Sequence, residues 1–111
     1  MVRITAYIKP HRLEPVKTAV AALGISGMSV GDVRGTGNSL ESTTIFTGPG
    51  VFALPIRARI DVVVPNEMAE AILDAIVNST FTGEADDGKV FIEEVEDAVR
   101  IRTGERGDAA V

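Results

Sequence analysis

Ile56-Arg57-Ala58-Arg59-Ile60-Asp61-Val62-Val63-Val64, followed at once by Pro65-Asn66-Glu67, is the stretch on which the fold turns. Its first seven residues alternate apolar and polar. That period of two belongs to a strand, with Ile56, Ala58, Ile60, Val62 and Val64 facing inward. The Pro-Asn-Glu that follows predicts a helix start, with Asn66 as the cap and acids in the first turn. Met68, Ile72, Ala75 and Ile76 then recur at helical spacing. A strand passing straight into a helix is half of a β-α-β unit, and the rest of the chain can be read against it.

Downstream, the Gly-rich run Gly83 to Gly88 leads into a strand at Val90 to Val95, and a further extended segment covers Val99 to Arg102 before a polar tail. Upstream, the chain opens on Val2 to Lys9, with Val2, Ile4, Ala6 and Ile8 on one face and Arg3, Thr5, Tyr7 and Lys9 on the other. A helix follows Pro10: Leu13, Val16, Val20 and Leu23 keep helical spacing, Pro15 is tolerated in the first turn, and Gly24 supplies the stop. Met28 to Val33 alternates again as a strand. Between the halves, about Arg34 to Leu54 holds Gly35, Gly37, Gly48, Pro49, Gly50 and several Ser and Thr residues, with little periodicity. Loops of such length inside a small domain are uncommon and usually functional or disordered.

The order is β-α-β, long loop, β-α-β. Two such halves make one antiparallel sheet backed by two helices, an α+β sandwich of the ferredoxin-like kind, occupying residues 1–111 as a single domain. Val63 and the neighbourhood of Val90 put apolar groups on both sheet faces, so an oligomer is expected.

Composition removes several function classes. The chain has 111 residues, 45% of them hydrophobic, with a formal charge of −5 and 5% aromatics. Nucleic acid is not an expected partner, since it favours a basic face and stacking rings. No cysteine is present, which excludes disulfides and Cys-ligated metal and suits a reducing cytoplasm. No segment has the roughly 20 apolar residues of a membrane span, and the N-terminal residues lack an apolar run of signal-peptide length. A role at a membrane would come through a partner protein.

Catalytic patterns are scarce. His11 is the only histidine, and it lies beside Pro10 in a turn, where a solvated side chain is the ordinary reading. The acidic run Glu93, Glu94, Glu96 and Asp97 reads as a strand end in solvent rather than a paired-carboxylate site. Phosphate binding has better support. Gly83-Glu84-Ala85-Asp86-Asp87-Gly88-Lys89-Val90 nearly spells a P-loop, yet Val90 replaces the magnesium-binding Ser or Thr and the loop precedes a strand, so a Walker site is rejected. Glycines that admit backbone N–H groups to an anion, with Lys89 as a point charge, remain. On an extended segment Arg100 and Arg102 would point to one side, calling either for an anionic ligand or for the chain's own carboxylates. Gly35-Thr36-Gly37 at the loop mouth offers another stretch of open backbone.

These residues resemble a known family. Val99-Arg100-Ile101-Arg102-Thr103-Gly104-Glu105-Arg106-Gly107 is similar to the C-terminal segment of the PII signal-transduction proteins; Ile8-Lys9-Pro10, Gly27-Met28-Ser29-Val30 and Asp87-Gly88-Lys89-Val90-Phe91 extend the match. The long loop, about 36–55, lies where the family has its T-loop, the run before Val90 where it has its B-loop, and 99–111 forms the C-terminal segment. The resemblance implies a homotrimeric regulator, not an enzyme, with nucleotide clefts between subunits in which ATP and ADP compete, and a T-loop that docks on a target transporter or enzyme. It places adenine and ribose contacts at Ser29, Asp61 and Val63, and phosphate contacts at Gly35, Gly37, Asp87, Gly88, Lys89, Arg100 and Arg102. Thr36 and Asn38 join the binding set at the loop mouth.

Departures from the family pattern shape the expectation. Asn38-Ser39 stands where the family carries Arg-Gln, and Ser39 is too short to act as that glutamine does in holding magnesium and 2-oxoglutarate; Arg57 takes the place of the later lysine. Standard 2-oxoglutarate sensing is therefore not expected, magnesium is left open, and ADP or AMP is favoured over ATP. The loop lacks tyrosine, so tyrosine modification there is excluded. Asp86 replaces a glycine and brings a second carboxylate towards any polyphosphate. The expected function is thus a PII-like nucleotide-binding regulator, with bicarbonate a candidate second ligand. The alternatives are a standard nitrogen-regulatory protein acting on an ammonium transporter or nitrogen-assimilation enzyme and, more remotely, an acylphosphatase-like enzyme using Arg34 or Asn38.

Overall fold

Two strands at the centre of the sheet set everything else. β1 (Val2–Ile8) pairs antiparallel over its whole length with β5 (Ile56–Val64), from Val2 opposite Val64 to Ile8 opposite Ala58. β2 (Ser29–Arg34) adds antiparallel to the free side of β5, and β6 (Gly88–Glu94) to the free side of β1, giving the order β2-β5-β1-β6. Each β-α-β half is therefore split: β1 and β2 run parallel with β5 between them, and β5 and β6 run parallel with β1 between them. This is the α+β, ferredoxin-like arrangement expected from the element order. The computed structural model describes residues 1–36, 45–48 and 51–111, with 45–48 and 51–53 described by their backbone alone.

The helices α1 (Leu13–Ala21) and α2 (Ala69–Thr80) lie together on one face. Alternation on the strands and helical spacing on the helices deliver the same product there. Ile4, Ala6 and Ile8 of β1, Ala58, Ile60, Val62 and Val64 of β5, Val16 and Val20 of α1, and Ile72 and Ile76 of α2 are all buried. Burying each large aliphatic contributes roughly 1.5–3 kcal/mol. The helices cover only the central strands. Val30 on edge strand β2 and Ile92 on edge strand β6 remain 44% and 45% exposed.

Several sequence expectations need correction. Asn66 does not cap a helix: Asn66–Met68 is a 3-10 turn with no side-chain cap, and the backbone bond from Met68 N–H to Pro65 C=O (3.0 Å) closes the turn ahead of α2. Pro10–Arg12 introduces α1 in the same way. Ile56, placed in the inward set, is 48% exposed, because it pairs with Arg34 at the sheet end beyond the helices. Leu23 is also exposed, past the end of α1. The long loop contains a two-stranded ribbon, β3 (Ile45–Gly48) against β4 (Val51–Ala53), with an irregularity between Phe46 and Gly48. Val99–Arg102 is not an extended strand. The chain turns back so that Val99 bridges Arg106; Arg100 N–H donates to Glu105 C=O (2.9 Å), and Gly104 N–H to Arg100 C=O (2.8 Å). Gly104, at φ +72°, supplies the backbone this tight reversal requires.

Candidate functional site

The face away from the helices carries β1's outward set and its partners. Register puts Tyr7 beside Arg59 and Lys89, Thr5 beside Asp61 and Phe91, and Arg3 beside Val63 and Glu93. Two clefts open along this face, towards opposite ends of the strands.

The first, of about 580 Å³, lies where β2 ends, β5 begins, β1 ends and β6 begins. Arg34, Gly35, Thr36, Arg57, Asp86, Gly88 and Lys89 line it, with the rings of Tyr7 and Phe91 as an apolar wall. Those rings meet edge to face, with centroids 6.1 Å apart. Gly35 N–H donates to Pro55 C=O (3.0 Å) and so ties the two ends of the long loop at the cleft rim. Gly88 has φ +121°, and a Cβ there would stand 2.1 Å from the Tyr7 carbonyl oxygen, so only glycine lets β6 approach β1 closely at this point. Among the described residues, no carboxylate lies within ion-pairing distance of Lys89 or Arg57. Cations without a carboxylate partner among the described residues suit an anion.

The second cleft, of about 660 Å³, is lined by Arg3, Ser26, Gly27, Met28, Ser29, Arg59, Asp61, Val63, Ala110 and Val111. Ser29 and Asp61 are directly paired across β2 and β5. Asp61 is already engaged: Thr5 Oγ1 donates to its Oδ1 (2.5 Å) and Arg59 Nε to its Oδ2 (2.9 Å). Burial alone would raise the Asp61 pKa, but the Arg59 and Thr5 hydrogen bonds outweigh it, and the carboxyl is held below its ordinary value. The Arg59 guanidinium also lies over the Tyr7 ring, 5.6 Å from its centroid.

The predicted residues therefore fall into three groups within one chain. Gly35, Thr36, Gly88 and Lys89 gather in the first cleft; Ser29, Asp61 and Val63 gather in the second. Arg57 to Asp61 is four strand residues, so these groups stand about 13 Å apart along β5. Arg100 and Arg102 line neither cleft: both are exposed on the C-terminal turn, and Arg100 Nε lies 3.9 Å from Glu105 Oε1. The alternative in which Arg100 meets one of the chain's own carboxylates is thus realised in the isolated chain. Gly37 and Asn38 lie outside the described residues.

Asp87 has a local task. Its carboxylate accepts from the N–H groups of Thr82 (2.7 Å) and Gly83 (2.9 Å) and from the Thr82 hydroxyl, closing loop 82–87. Those bonds, the Thr82 hydroxyl foremost, hold its pKa low. Sequence reading missed Lys9 as a site residue. Its Nζ stands 3.0 Å from Glu84 Oε2 and 3.1 Å from Asp86 Oδ1, which raises its pKa through those two hydrogen bonds. Glu84 lies 75 residues on and Asp86 follows it in the same loop, so no spacing rule reveals them. Arg59 was missed as well, although its position two residues from Asp61 on one strand face was the available signal. The C-terminal turn has its own clamp: Asp97 accepts from Arg106 Nε (2.8 Å), Ala98 N–H (2.8 Å) and Gly107 N–H (3.1 Å).

With a glycine-edged cationic cleft at the Gly35–Pro55 tie, the split β-α-β sheet with both helices on one face is a ferredoxin-like fold. The comparisons agree. A family model described as nitrogen regulatory protein P-II matches residues 1–105. The chain is 44% identical over 113 aligned positions to the nitrogen regulatory protein P-II of Cereibacter sphaeroides, with 100% of each chain covered. It is 39% identical, again across 100% of each chain, to the nitrogen regulatory protein P-II of Haemophilus influenzae and to P-II 1 of Escherichia coli K12. The chain belongs to the P-II family. Members are signalling regulators rather than enzymes, and as a class they bind adenine nucleotides and 2-oxoglutarate and act on target proteins as homotrimers. Among the described residues no helix is long and apolar enough to cross a membrane.

Proposed function

We propose that this chain forms a homotrimer that binds an adenine nucleotide at each junction between copies. Nucleotide state then changes the loop of about 36–55, and that loop regulates a transporter or enzyme in the cytoplasm. A single observation carries this reading: the residues expected at phosphates and those expected at a base and sugar line two separate clefts of one chain. Lys89 offers its charge for phosphates in a cleft edged by Gly35 and Gly88, Ser29, Asp61 and Val63 offer a polar, partly apolar recess for a base and sugar, and Arg100 and Arg102 are exposed. Bringing the arginines of one copy to the phosphate cleft of the next completes the set, with Gly37, Asn38 and Thr36 at the loop mouth and Asp87 shaping the loop beneath.

Exposed apolar groups support association. Ile101 is 99% exposed at the tip of the C-terminal turn, and Val99, Phe91, Ile92 and Val30 are about half exposed; groups of this size in such number usually meet a partner. Within this reading ADP or AMP is the preferred nucleotide. Asn38-Ser39 argues against standard 2-oxoglutarate sensing, and bicarbonate is the second ligand we favour. Because the relatives carry the name nitrogen regulatory protein, an ammonium transporter or nitrogen-assimilation enzyme is the competing target.

Titration calorimetry with AMP, ADP and ATP tests the reading. Saturable heat from ADP is expected, and no heat from any of the three rejects it. Repeating the ADP titration with bicarbonate or 2-oxoglutarate present separates the two pathways by which metabolite shifts the affinity.

A further inference from the structure

Loop 82–88 brings three carboxylates around one ammonium: Lys9 Nζ stands 3.0 Å from Glu84, 3.1 Å from Asp86 and 3.9 Å from Asp87. One positive charge against three negative leaves the cluster with a net charge of −2. The three carboxylates are not equivalent. Asp87 faces back onto Thr82 and Gly83, whose N–H groups it accepts from. Glu84 is 68% exposed, where water and salt screen its charge. Asp86 alone lines the first cleft, beside Gly88, Lys89 and Arg57, and its side chain is 24% exposed. Lys9, itself only 14% exposed, fixes that carboxylate in place. Asp86 cannot turn out to solvent without breaking the pair, and Lys9 is shared with Glu84, so its neutralisation of Asp86 is incomplete.

We propose that Asp86, held at the cleft wall by Lys9, grades ligands by phosphate charge, disfavouring a nucleoside triphosphate relative to the diphosphate and monophosphate. The inference rests on the nucleotide reading above and adds the residue that sets selectivity. Lys89 and Arg57 attract a longer phosphate chain more strongly, and Asp86 offsets part of that gain in the same cleft. Asp86 repels in proportion to the charge that reaches it, and the longest chain brings the most.

The test is calorimetric titration of AMP, ADP and ATP into the full chain and into Asp86→Asn, each with EDTA and with magnesium. The amide keeps the side chain's shape, and the Lys9–Glu84 pair and the Asp87 hydrogen bonds remain to hold the loop. Glu84→Gln is the control: it removes the same charge from the same cluster but from outside the cleft. Asp86→Asn is expected to raise ATP affinity about tenfold in EDTA, ADP affinity less and AMP affinity least, while Glu84→Gln leaves the ATP-to-ADP ratio where it was. Equal changes for all three nucleotides, or an equal ratio shift in Glu84→Gln, overturns the selectivity role while leaving the nucleotide reading intact. A loss of ATP affinity in Asp86→Asn seen only with magnesium makes Asp86 a metal ligand and also overturns it. Silence from the unaltered chain with every nucleotide sinks both.

Discussion

The two faces of one sheet follow different rules. On the helix face, β1 and β5 present only aliphatic groups, and every one from Ile4 to Val64 in the central register is buried. On the other face the same strands carry Arg3, Thr5, Tyr7, Arg57, Arg59 and Asp61, joined by hydrogen bonds, an ion pair and a cation–π contact and opened by two clefts. Because side chains alternate along a strand, each residue that strengthens the core is followed by one free to serve the site. The dry face holds the fold; the wet face carries both clefts.

The largest effect should come from damaging the dry face. Ile60→Ala, at a fully buried position of β5, is expected to lower unfolding free energy by about 2–5 kcal/mol in denaturant titration; a cost below about 1 kcal/mol would show that the two faces share the burden of stability. Next comes the seam where fold and site meet. Gly88→Ala places a Cβ against the Tyr7 carbonyl at a backbone angle of +121°, and a loss of about 1–3 kcal/mol is expected, together with weakened ADP binding because Lys89 is the next residue. Unchanged stability and affinity would mean that the β1–β6 approach is adjustable.

A smaller effect separates the faces by pH. Asp61, Asp86, Asp87 and Asp97 all belong to the wet face, the loops or the C-terminal turn, and all are held below the ordinary aspartate value of 3.8. A depressed folded pKa contributes stability that is complete above the unfolded value and is lost as pH falls from there through the folded value. The unfolding midpoint should therefore hold level from about pH 7 to about pH 5 and decline below about pH 4, with Asp97→Asn flattening part of that decline. A midpoint that falls instead near pH 6 would point away from these carboxylates.

The helix face was legible in the sequence because burial there is periodic: Ala58, Ile60, Val62 and Val64 declared the strand, and Ile72 and Ile76 the helix packed over it. Legibility failed where local backbone bonds replace the expected device. Asn66 has the chemistry of a cap, but a 3-10 turn closed by Met68 N–H leaves it no such duty. Val99-Arg100-Ile101-Arg102 alternates like a strand, yet Gly104 reverses the chain and Glu105 takes up the Arg100 backbone and side chain. The first cleft was half legible. Gly88 and Lys89 stand together in sequence and in space, but Lys9 and Asp86 meet only through the fold. The pairing of Arg100 and Arg102 with Lys89, the core of the proposal, depends on a second copy, and contacts between copies leave no period in one chain.

Subunit mixing tests that core most directly. Lys89→Ala and the double variant Arg100→Ala with Arg102→Ala should each lose ADP binding in titration calorimetry. Unfolded together in equal amounts and refolded, they should regain about a quarter of the sites, since only junctions joining an intact Lys89 face to an intact arginine turn are whole. No recovery in the mixed oligomers, with both parent variants silent, would place all three cations in one chain's site and contradict the account.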